Sequence, residues 1–125
     1  MATTEKILPQ SAGATAHVRP RVLVANDPGA YRDAISTVLS QLRPGVEVLA
    51  AVPKDLDDEY ARLQPSLTVC SRLTRVVESG VSDWIELYPD GASVANFSVG
   101  GERSTLARPD FGLILSLVDR LLPQP

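Results

Sequence analysis

Asn26, Asp27 and Ser71 are the residues whose types and spacing come nearest to a chemistry. Asn26 and Asp27 follow the apolar run Val22-Leu23-Val24-Ala25, and Ser71 follows Leu67-Thr68-Val69-Cys70. Carboxylates at two such strand ends would hold a divalent cation, and the cation would neutralise charge on a phosphoryl group during transfer to an acceptor carboxylate. Here the positions carry one amide, one carboxylate and one hydroxyl. Magnesium asks for hard oxygen ligands in near-octahedral geometry, and Asp27 alone supplies too little negative charge. The Ser71 hydroxyl has no base beside it to activate it. The expectation is a degenerate acidic pocket of Asn26, Asp27, Ser71 and Arg72, with no phosphoryl transfer at Ser71, no metal, no other cofactor and no catalytic residue.

Arg72 has two readings. Its guanidinium fills the emptied pocket, pairs with Asp27 and stands in for the metal's charge, or it is solvated on a loop with Arg75. Cys70, the single cysteine, reads as a small buried hydrophobe, because no His, Lys or helix start is placed to activate its thiol. The carboxylates Asp55, Asp57, Asp58 and Glu59 fall in the first turns of a helix, where they suit its dipole. Gly100-Gly101 is followed neither by Lys-Ser/Thr nor by a helix start, so it reads as a turn and not a phosphate loop.

The elements that must position the pocket alternate. Val22 to Ala25 is continuous and apolar, as for a strand buried on both faces of a parallel sheet. Asp27 is the expected cap and Pro28 the first turn of a helix carrying Tyr31, Ala34, Ile35, Val38, Leu39 and Leu42 on one face. Val46 to Val52 reads as a second strand, and Leu56, Tyr60 and Leu63 as one face of a short helix closed by Pro65. Leu67 to Cys70 is the third strand, Thr74 to Ser79 one or two helical turns, and Trp84 to Tyr88 the fourth strand. Pro89-Asp90-Gly91 is a turn. Ser93 to Val99, Gly100-Gly101 and Glu102 to Leu106 then read as a β-hairpin. A last helix starts at Asp110 and carries Phe111, Ile114, Leu115, Val118, Leu121 and Leu122, with Pro123 as its stop. The predicted fold class is α/β, a flavodoxin-like three-layer open sheet, mostly parallel, with a late antiparallel β-hairpin and a C-terminal helix.

Composition narrows the function. The 125 residues are 44% hydrophobic and 22% charged, which fits one domain, expected over residues 20–125 behind a flexible N-terminal tail over 1–19. His17, the only histidine, lies in that tail and reads as a solvated residue. The net charge of −3 carries no electrostatic footprint for nucleic acid. No apolar run is long enough to span a bilayer. With one cysteine and no apolar signal core near the N-terminus, the expected location is the cytoplasm.

The stretch from Arg21 to Leu87 resembles the receiver domain of bacterial response regulators. Val22-Leu23-Val24-Ala25-Asn26-Asp27 matches the first receiver strand, with Asn26 and Asp27 at the positions of the acidic pair that holds magnesium. Pro65-Ser66-Leu67-Thr68-Val69-Cys70-Ser71 matches the third strand, with Ser71 at the phosphoacceptor position. The resemblance implies a flavodoxin-like sheet with strand order 2-1-3-4-5. The chain departs from it in four ways. Ser71 replaces the acceptor aspartate. The fourth strand runs into Tyr88-Pro89 where receivers place Ser or Thr. Neither hairpin strand offers the fifth-strand lysine, Lys6 and Lys54 lying elsewhere. The hairpin stands where the fourth helix would be.

The last helix adds Leu113 and Leu117 to its stripe, a broader apolar arc than a surface helix buried on one side needs. It is either wedged deeply against the hairpin or a partner surface, with Phe111, Leu113, Leu117 and Leu121 as the residues expected to carry it. Three functions follow. The first is a stand-alone pseudo-receiver, a regulatory module that binds a protein partner or a second copy through the hairpin and last helix, without phosphorylation. The second is a small ligand-binding protein or enzyme using the crevice near Asn26, Asp27, Ser71 and Tyr88-Pro89-Asp90. The third is a structural subunit. The first is the expectation.

Overall fold

A computed structural model describes residues 19–122. The elements in chain order are β1 (Arg21–Ala25), α1 (Gly29–Leu42), β2 (Glu47–Ala50), α2 (Leu56–Leu63), β3 (Leu67–Cys70), α3 (Arg75–Ser79), β4 (Asp83–Leu87), β5 (Val94–Val99), β6 (Glu102–Ala107) and α4 (Phe111–Asp119). They build a six-stranded sheet of order β2-β1-β3-β4-β5-β6. The first four strands are parallel, whereas β4–β5 and β5–β6 are antiparallel. This is the flavodoxin-like three-layer sheet with a late hairpin and C-terminal helix.

The reversal of β5 has a local cause. The link from Leu87 to Val94 is a tight turn through Pro89–Gly91, too short for the crossover that a parallel strand needs. The chain therefore doubles back. Gly100 and Gly101, both at positive φ, close the next reversal as a two-residue hairpin turn.

Two apolar clusters sandwich the sheet. On one face Val22, Val24, Leu67, Val69, Ile85, Leu87 and Ala95 meet Ile35 and Leu39 of α1 and Ile114, Leu117 and Val118 of α4. On the other, Leu23, Ala25, Cys70 and Trp84 meet Leu56 and Leu63 of α2 and Val77 of α3. Every residue of β3 is buried, and so are the last four of β1, because helices cover both faces of these central strands. A buried side chain such as Leu23 or Ile85 contributes roughly 1.5–3 kcal/mol.

Several sequence expectations change, the second strand among them, which spans only Glu47–Ala50 of the expected Val46 to Val52. Asp27 makes no capping hydrogen bond, and α1 begins after Pro28, the Asp27–Pro28 peptide being cis. The buried stripe of α1 is narrower than its periodicity, since Val38 and Leu42 are exposed while Ile35 and Leu39 carry the packing. α4 ends at Asp119, and Leu121 and Leu122 pack on the core from the turn beyond it. Leu117, on a face adjoining the main stripe and expected to carry a partner surface if α4 was not wedged deeply, is buried with Ile114 and Val118, while Phe111, Leu113 and Leu121 are half-buried against the same cluster. α4 shares its core cluster with Ile85 and Leu87 of β4 and Ala95 of β5 as well as with the central strands. Asp110 caps the helix as expected, accepting from the Gly112 N–H at 2.9 Å. The expected tail, with His17, lies outside the described residues except for exposed Arg19. No helix of the described residues is long and apolar enough to cross a membrane.

Candidate functional site

The carboxyl ends of β1 and β3 bring Asp27 and Ser71 together. Ser71 Oγ accepts the backbone N–H of Asp27 at 3.0 Å. Asp27 Oδ1 lies 3.6 Å from Arg32 Nη1, and the same guanidinium nitrogen donates to the Asn26 carbonyl at 3.1 Å. Arg32 sits just inside α1, so its side chain reaches back over the strand end. Its side chain is only 16% exposed, against 65% for Asp27.

Arg32 is therefore the cation that pairs with Asp27, and Arg72 is not. Arg72 is exposed, as is Arg75, and it has no ion-pair partner among the described residues. This corrects the pairing reading of Arg72. The sequence signal for Arg32 was faint, because helical periodicity assigns it to a polar face without saying that the side chain folds back. Asn26 is fully buried, and neither atom of its side-chain amide has a hydrogen-bond partner among the described residues. A buried amide without a partner carries a desolvation cost of about 1–3 kcal/mol.

A crevice of about 700 Å³ opens above these strand ends, lined by Asp27, Val52, Pro53, Lys54, Ser71, Arg72, Tyr88, Asp90 and Gly91. Asn26 lies beneath it, outside the lining. The sequence reading missed Lys54, which comes from the β2–α2 connection and faces the same space as Arg72. Tyr88 enters from the end of β4 in a left-handed conformation, φ 56. Its hydroxyl donates to the Pro109 carbonyl at 3.0 Å, and its ring stands 5.8 Å from that of Tyr31. Burial first, and then the hydrogen bond with Tyr88, push the Tyr31 hydroxyl up to about 12, so it remains neutral.

Cys70 ends β3 beneath the crevice and is fully buried, with its thiol 3.6 Å from the Ile85 carbonyl. Burial, reinforced by the Glu86 carboxylate, pushes that thiol up to about 12. A protonated, enclosed thiol is a poor nucleophile and ligand. Among the described residues no group of three or more His, Cys, Asp and Glu side chains is placed to hold a metal ion. The acidic start of α2 is tied into the fold instead. Asp57 accepts from the Thr74 hydroxyl at 2.6 Å, and Glu59 pairs with Arg62 at 2.6 Å.

The antiparallel course of β5 reshapes the site. In an all-parallel sheet the fifth strand would deliver its carboxyl end to this crevice. Here β5 begins at the crevice end, at Val94, and Val99 lies at the far edge. A basic residue at the end of β5 would be a full strand length away from Asp27 and Ser71.

Fold and site together define an α/β module of the flavodoxin-like class, with a polar crevice at the carboxyl ends of its parallel strands. Compared with known protein families, with curated proteins and with solved structures, the chain matches none.

Proposed function

We propose that this chain is a stand-alone pseudo-receiver, a regulatory module that works by binding protein without being phosphorylated. The observation that carries this reading is that Ser71 and Asp27 are engaged from within the chain. The Ser71 hydroxyl is engaged by the Asp27 N–H, and the Asp27 carboxylate faces Arg32. A hydroxyl stands at the position that the receiver resemblance gives to the acceptor carboxylate, and the cation beside Asp27 is the Arg32 guanidinium. The reversed β5 supports the same reading, since no strand delivers a lysine to the crevice. The surface for a partner is the hairpin. All of β6 is exposed, whereas α4 spends most of its apolar arc on the core.

The test is an amide NMR titration with magnesium, followed by magnesium plus beryllofluoride. The expected result is no shift at Asn26, Asp27 or Ser71. Shifts at those residues that spread to α4 and the hairpin would establish a working phosphoryl switch and overturn the proposal.

A second reading has its own observation. Lys54 and Arg72 line one crevice, and neither has an ion-pair partner among the described residues. Two such cations beside a half-buried tyrosine suit a small anionic ligand. Inorganic phosphate would then shift the Lys54 and Arg72 amides without magnesium, and Lys54→Ala would abolish the effect. A spectrum unmoved by phosphate removes this reading.

A further inference from the structure

We propose that β6 pairs with the β6 strand of a second copy of this chain, antiparallel across a two-fold axis, joining two six-stranded sheets into one. This rests on the reading of the chain as a protein-binding module and names the partner as the chain itself. Exposed sheet edges are templates for strand addition unless proline, bulges, inward charges or a covering element block them. β6 is the outer strand of the sheet, and all six of its residues are exposed. It contains no proline, and no described element lies beside it.

The ladder fixes which groups face outward. The Arg108 N–H donates to the Ser93 carbonyl at 2.8 Å, so Ser93 and Arg108 are joined as a hydrogen-bonded pair. Antiparallel pairs alternate between bonded and non-bonded. Glu102, Ser104 and Leu106 therefore bond to β5, and Arg103, Thr105 and Ala107 turn their backbone N–H and C=O groups away from the sheet.

One register makes this edge complementary to itself. A two-fold axis at Thr105 sets Thr105 opposite its own copy. Arg103 then faces Ala107, Ser104 faces Leu106, and Glu102 faces Arg108. The outward backbone groups of Arg103, Thr105 and Ala107 meet their counterparts as bonded pairs. Each end of the seam gains a carboxylate–guanidinium pair, and neither Glu102 nor Arg108 has an ion-pair partner among the described residues of its own chain. Leu106, 43% exposed, comes diagonally beside its own copy, within reach of a long side chain. Moving the axis to Arg103 instead sets like charges face to face.

Sedimentation velocity over micromolar to near-millimolar concentration should show a reversible dimer. Thr105→Pro removes an outward N–H that β5 does not use, so the hairpin persists while the dimer weakens by roughly tenfold or more. Glu102→Arg should weaken the dimer roughly three- to tenfold, and Glu102→Arg combined with Arg108→Glu should restore it. Thr105→Cys gives the sharpest readout. A bonded antiparallel pair has Cα atoms about 5.5 Å apart, inside the disulfide range of about 4.4–6.8 Å, so mild oxidation should yield a covalent dimer. A chain that stays monomeric throughout, or a dimer indifferent to Thr105→Pro that Thr105→Cys does not lock, overturns the proposal. So does a β6 edge protected by residues 1–18 or by another protein's strand. The beryllofluoride titration fails separately. A silent titration with a monomer removes only the second copy, and a responding titration with a dimer removes only the pseudo-receiver reading.

Discussion

Ser71 Oγ accepts the Asp27 backbone N–H at 3.0 Å, linking the ends of β1 and β3 through the hydroxyl that a phosphoryl acceptor would have to leave available. Ser71→Ala should cost about 0.5–1.5 kcal/mol in denaturant unfolding, the range for one hydrogen bond whose donor regains partial access to water. A loss above about 3 kcal/mol would mean that Ser71 holds more of the site than this bond.

Arg32 and Arg72 should behave differently although both border Asp27. Arg32 is mostly enclosed and serves both the Asp27 carboxylate and the Asn26 carbonyl. Arg32→Ala should lower stability by about 1–3 kcal/mol, because a charged donor is lost and the strand-end carbonyl is left without it. Arg72→Ala should stay within about 0.5 kcal/mol, as for an exposed side chain away from any paired network. Equal losses in parallel chemical melts would return Arg72 to the pocket.

Much of this architecture was legible in the chain, and the gaps have physical causes. Val22 to Ala25 and Leu67 to Cys70 read correctly because strands covered on both faces are apolar at every position. Asp110 as a cap and Gly100-Gly101 as a turn follow from local backbone chemistry. Arg32 and Lys54 were not legible as site residues. Lys54 reaches the crevice, and Arg32 reaches Asp27 and the Asn26 carbonyl, only after a loop or helix has folded back over the strand ends. The sequence left open whether Leu117 would be buried or offered to a partner, because a helical pattern gives the width of an apolar arc but not the number of neighbours that will cover it. Val38 and Leu42 are the converse, apolar residues in register with the stripe that stay exposed while Ile35 and Leu39 are buried.

The pair Arg43–Asp119 joins the end of α1 to the last turn of α4, with Nε to Oδ1 at 2.5 Å and Nη2 to Oδ2 at 3.1 Å. The hydrogen bond from Arg43 holds the Asp119 carboxyl below its usual 3.8, and the same bond raises Arg43. A carboxyl depressed in the folded state binds fewer protons there than when unfolded, so its contribution is complete above about pH 4 and fades as pH falls through the lowered value. Thermal melts of wild type and Asp119→Asn should therefore differ by a constant amount from pH 7 to about pH 5 and converge toward pH 2. The gap should also shrink in high salt, since both side chains are partly exposed. A gap that persists at pH 2 would assign the effect to packing of α4 and not to the charge.

Arg103 of β6 lies over the ring of Trp84 on β4, 5.2 Å from its centroid, and its guanidinium also pairs with Glu78 of α3. Beside it a polar ladder crosses the hairpin, with Asn96 donating to Glu86 at 3.1 Å and Thr105 bonded to Asn96 at 2.8 Å. Trp84 is the only tryptophan and just 3% exposed, so its emission reports on this cover directly. Arg103→Ala should shift that emission to the red and increase quenching by acrylamide. The stability loss should be about 0.5–1 kcal/mol, because the guanidinium itself is well exposed. Arg103→Lys should recover the ion pair with Glu78 but not the planar cover, and so keep most of the red shift. An unshifted emission in Arg103→Ala would mean that α3 closes over Trp84 unaided, and that Arg103 is available to β6 for other contacts.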